Sequence, residues 1–156
     1  MVVAANRPAM TLHSLRDRTI GVIPIRLVLG VALLVAARLG GSANTPALLA
    51  FFSGVVGITF LLLNDPRSRF VPAPAEPVDA PVGAKVAPLW RQALAATLPS
   101  TAGLTVLGVV TLARQPTLTA LLGGVCAGLG VAAALSLTRI DPALYVDPRS
   151  HRLYRR

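Results

Sequence analysis

Residues 117–137 read TLTALLGGVCAGLGVAAALSL, and the fold is decided by how this run is read. Its 21 residues include no charge, no proline and no aromatic ring. At about 1.5 Å per residue, a helix of this length crosses the ~30 Å hydrocarbon core of a bilayer. Ala120, Gly124, Gly128, Ala132 and Ser136 recur every four positions and form one ridge of that helix. Gly124 and Gly128 make a GxxxG pair within it. A ridge with little side chain lets a second helix approach closely, which is how helices gain contact energy in lipid. The ridge therefore predicts a helix packed on that face, although an Ala/Gly-rich composition alone would also supply small residues.

Working outward, three further apolar runs share this character: residues 20–39, 46–63 and 93–112. Hydrophobic residues make up 54% of the chain and charged residues 13%, about half the charged fraction of a soluble domain. The predicted fold is an all-α integral membrane protein whose four transmembrane helices form two antiparallel hairpins, 20–63 and 89–138. Short links, GGSANT after the first helix and Ala113–Pro116 before the fourth, favour that pairing. Thr45 is a candidate cap for the second helix, with Pro46 at its first position. The one cysteine, Cys126, lies mid-span and reads as a packing residue.

The first run contains Arg26. A helix starting at Pro24 would place Arg26 near its inner end, where the side chain can reach lipid headgroups along its own stem; an arginine deeper in the bilayer would mark a functional site. The same run could instead be a signal peptide within residues 1–43, with Gly41-Ser42-Ala43 resembling a cleavage site. Ser53 and Gly57 form a small-xxx-small pair in the second run. In the third, Thr97, Thr101 and Thr105 lie on one ridge and Pro99 predicts a kink. These threonines can line a polar path or satisfy their own carbonyls. The threonine ridge of 93–112 and the glycine ridge of 117–137 are the expected mates.

The remaining segments are polar. Residues 1–19 form a basic lead-in, with His13 solvated or facing headgroups. The linker 64–88 carries six prolines in 25 residues and reads as an extended spacer. The tail 139–156 has a turn signal, Asp147-Pro148-Arg149-Ser150, between two short stretches, which suits a small hairpin, an irregular interfacial segment or a disordered, solvated tail. The same tetrapeptide occurs at 65–68, which, with Ser53/Gly57 echoing Gly124/Gly128, raises an old duplication.

Net charge is +9, and thirteen of the fifteen Lys and Arg residues lie on the N-terminal segment, linker and tail or at the adjoining helix ends. By the positive-inside rule both termini are cytoplasmic, in the plasma (inner) membrane. The expected counterpart of the charge is anionic lipid on the cytoplasmic side, with headgroup contacts from Arg26, Trp90, Arg91, Arg149, Arg152, Arg155 and Arg156. Nucleic acid is not expected, because no basic run is interleaved with aromatic residues. All six acids lie outside the four runs and the two histidines are 138 positions apart, so neither a metal site, a cofactor site nor a catalytic constellation is expected. Three functions remain: a non-catalytic accessory, assembly or scaffold protein acting through helix packing on itself or another membrane protein; an oligomeric small transporter or channel; and a membrane enzyme acting on lipid headgroups.

Overall fold

Four long helices and five short strands make up the structure, a computed structural model that describes residues 11–64, 78–81, 83–148 and 152–156. The helices are α1 (Leu15–Leu39), α2 (Asn44–Asn64), α3 (Leu89–Leu112) and α4 (Pro116–Ser136), the last continued by a 3-10 turn, Leu137–Arg139. All four are long and apolar enough to cross a membrane, and 73% of the described residues are helical.

Helix α1 begins earlier than the sequence predicts. Ser14 caps it, its hydroxyl accepting the Asp17 N–H at 3.2 Å, so Pro24 falls inside the helix rather than at its start. The cap outweighs the proline signal because it satisfies an otherwise orphan N–H at the helix end. Gly40, whose N–H donates to Ala36 O at 2.8 Å, and Gly41, at φ +97°, end the helix and turn the chain. Only glycine holds that φ without strain. Helix α2 already includes Asn44, so Thr45 lies in its first turn and not at its cap. Pro116 opens α4 at its first turn, where a missing N–H costs nothing.

The strands were not anticipated, apart from the tail hairpin. They are β1 (Thr11–Ser14), β2 (Val78–Asp79), β3 (Lys85–Val86), β4 (Leu144–Val146) and β5 (Leu153–Arg155), in the order β2-β5-β4-β1-β3. β4 and β5 pair antiparallel, Tyr145 opposite Tyr154. The lead-in supplies β1, which is antiparallel to β4 and parallel to β3 of the linker. β2 runs parallel to β5. The lead-in, the linker and the tail, expected as separate segments, thus share one sheet. It sits where α1 and α3 begin and α4 ends. Leu12 at its centre is wholly buried.

Directions of the helices follow from which residues meet. Along α1 and α3, Gly21 faces Ala93, Arg26 faces Ser100, Leu33 faces Gly108 and Gly40 faces Leu112, so the two run the same way. Along α2 and α4, Phe51 faces Gly124 and Val55 faces Gly128, again in parallel. Helix α4 lies between α1 and α2, which touch each other little; α3 packs mainly against α1 and less extensively against α4. At the end away from the sheet, Ala37, Ala47 and Ala120 form a wholly buried cluster.

Candidate functional site

Two features could carry function: the seams of small residues and the polar level around Arg26. Gly124 and Gly128 do not meet the threonine ridge of α3; they meet α2. A Cβ on Gly124 would land on the Phe51 carbonyl, and one on Gly128 would collide with Ile58 and lie 2.7 Å from Val55 O. Gly54 of α2 closes the same seam, its position 2.6 Å from Leu121 O. Thr59 Oγ1 adds a hydrogen bond to Gly128 O at 3.1 Å.

A second seam on α4 faces α1. Gly30 and Gly123 approach so closely that a Cβ on either would stand 2.7 Å from the other's carbonyl oxygen. Ala127 and Gly130 continue it. Adjacent glycines in a helix point about 100° apart, so the Gly123-Gly124 dipeptide serves two faces at once. Ala120, Ala132 and Ser136 are all fully buried, Ser136 bonding back to Ala133 O at 2.7 Å.

Ser53 and Gly57 turn outward: both are exposed, and nothing lies within 4 Å of a Cβ built on Gly57. On α3, Thr97 is buried, Thr101 partly so and Thr105 exposed. Each donates to the carbonyl four residues back, at 2.7–2.8 Å. These hydroxyls therefore satisfy their own helix. The polar link between α3 and α4 comes from Thr119, which sequence reasoning passed over. Its hydroxyl bonds Gly108 O at 3.2 Å and Thr111 Oγ1 at 2.9 Å.

Arg26 stands eleven residues into α1, more than two turns beyond the Arg16–Arg18 charges. Its Nη2 donates to Ser100 Oγ at 3.2 Å, and Ser100 in turn donates to Thr97 O at 3.1 Å. The long α1 thus puts Arg26 well inside the apolar helix, where it engages α3, not at the helix end. Cys126 is buried nearby on α4.

At the sheet, the expected headgroup residues are outward. Trp90 is exposed, with the Arg91 guanidinium 5.1 Å from its ring centroid. Arg152, Arg155 and Arg156 are exposed, Arg155 reaching Asp141 at 3.4 Å, a pair too solvated to add much. Arg149 and the 65–68 tetrapeptide lie outside the described residues. His13 of β1 is partly buried; that burial and the nearby Arg18 charge lower its pKa, against a smaller opposing pull from Asp147. Gln92 is wholly buried, donating to Ala87 O at 2.5 Å and so tying α3 to the end of β3.

No protein-family model, curated protein or solved structure matches this chain. Among the described residues no cluster of His, Cys, Asp and Glu is close enough to hold a metal ion.

Proposed function

We propose that this is a multi-pass protein of the plasma membrane, with its sheet and both termini on the cytoplasmic side, that acts as a non-catalytic assembly or scaffold subunit. In this reading the first two helices form one hairpin and the last two another, with α4 seated between α1 and α2. The observation that carries it is an imbalance of burial. Within the membrane-length window, 56% of α4 is buried inside the bundle, against 17% of α2 and of α3. The small residues of α4 are consumed internally, whereas Gly57 of α2 and Gly103 of α3 open onto empty space. Small residues on an outward helix face permit close approach by another helix in lipid. The partner is a second copy or another membrane protein, and the exposed arginines at the sheet add contact with anionic lipid.

The test is native electrophoresis and cross-linking of the full chain in its own membrane. Gly57→Leu or Gly103→Leu should remove a higher-mass species while leaving the bundle folded. If both variants leave that species intact, or none exists, the reading fails. Reporter tags on the two ends should give the same cytoplasmic signal. A second reading, an oligomeric transporter, draws on Arg26 and on Pro24 and Pro99 breaking the α1 and α3 ladders. Liposome flux that depends on Arg26 would favour it over the scaffold.

A further inference from the structure

Arg26 is the sole charged residue between positions 19 and 37. It lies eleven residues from the start of α1, and Ser100 lies eleven residues from the start of α3. At 1.5 Å per residue both stand about 16 Å above the sheet end of their helices. The match is part of a regular offset. Thr11 pairs with Lys85, Leu12 with Val86, and the helices start at Leu15 and Leu89, each 74 positions apart, as are Arg26 and Ser100. Each helix also carries a proline at this level: Pro24 two residues before Arg26, and Pro99 directly before Ser100. Proline removes a ladder hydrogen bond and opens the turn around it. Two parallel helices are thus interrupted side by side where the arginine meets the serine.

The arginine is held there. Ser100 bonds its Nη2, and Thr97 O anchors Ser100. Gly130 of α4 lies against its stem, a Cβ there standing 3.4 Å from the Arg26 Cβ, an ordinary contact distance. Arg26 and Ser100 are both partly exposed, beside the exposed Pro24, Leu27, Leu98 and Pro99. The level is therefore open to the apolar surroundings of the bundle.

On the membrane reading above, we propose that Arg26 and Ser100 form a binding site for an oxyanion, a phosphate group. The planar guanidinium presents parallel N–H donors that match two oxygens of such a group. The Ser100 hydroxyl can give up its bond to Thr97 O and turn its single O–H to the anion. In low-dielectric surroundings these contacts are stronger than in water. The phosphate is either that of an anionic lipid, drawn in beside Leu27 and Leu98, or a free ion.

Full-length protein in a neutral mild detergent would be titrated with dioleoyl phosphatidylglycerol, with dioleoyl phosphatidylcholine and with inorganic phosphate, read by native mass spectrometry and thermal stability. Saturable binding of phosphatidylglycerol over phosphatidylcholine identifies a lipid; saturable binding of inorganic phosphate identifies a free ion. In either case Arg26→Gln should weaken binding at least tenfold, Ser100→Ala severalfold, and Arg26→Lys less than Arg26→Gln. Replacing Arg114, exposed at the end of the bundle away from the sheet, by Gln should leave it unchanged. Should Arg26→Gln fail to fold, Arg26→Lys and Ser100→Ala decide the matter. Binding that is absent, or equal in wild type and in Ser100→Ala and Arg26→Lys, overturns the site. Extraction of the chain from membranes by alkaline carbonate would overturn the membrane reading instead.

Discussion

Helices α3 and α4 have nearly the same length and follow each other in the chain, yet they are built for different neighbours. α4 carries small residues on two faces and is clasped by α1 and α2. α3 carries hydroxyls that return to their own backbone, and its valines and leucines at 98, 106, 107, 109 and 110 face outward. The difference teaches that a small residue contributes to packing only where the opposing backbone also comes close. Gly124 and Gly103 are the same residue in similar helices, and one has the Phe51 carbonyl against it while the other has nothing within 4 Å.

Substitution sharpens this contrast most. Gly124→Leu should cost about 3 kcal/mol or abolish the folded state, because α2 must be pushed away. Gly103→Leu should stay within about 0.5 kcal/mol. Reversible unfolding in mixed detergent, followed by circular dichroism, measures both; equal losses would break the comparison. Next, Thr119→Val removes the hydroxyl that joins α4 to Gly108 O and Thr111, and should cost about 1 kcal/mol by the same assay.

A smaller effect is expected at the sheet, which both helices adjoin. The folded state holds His13 at a lowered pKa, so the unfolded chain binds more protons as pH falls below the ordinary value of 6.5. Stability from this group is complete above that value, declines as pH falls towards the folded pKa and is lost below it. His13→Gln should flatten the slope, read as thermal stability against pH between about 5 and 7. Smallest of all, Thr105→Val should be close to neutral, since Thr105 is exposed and bonds only to its own helix.

Much of this architecture was legible in composition. Four long apolar runs stand out because each helix must be greasy on most sides, and the tail hairpin was suggested by Asp147-Pro148. The rest was hidden for identifiable reasons. Strands of two to four residues have no periodicity to read, and β1, β3 and β4 come from three distant segments. The fourfold ridge on α4 was visible, but its mate was not, because ridge spacing says which face packs and not against what. The Gly123-Gly124 dipeptide was a usable sign of a second seam. The depth of Arg26 depended on whether Ser14 or Pro24 started α1, and Ser14, which caps the helix through the Asp17 N–H, also belongs to β1, a strand too short to be read from the sequence.

β1 therefore has a consequence for how the protein is made. Residues 13 and 14 are made about 130 positions before their antiparallel mates, Val146 and Tyr145. At ordinary elongation rates that interval is on the order of ten seconds. That edge of β1 must wait, unmatched, until β4 emerges, so the pairing closes only after all four helices have been synthesised.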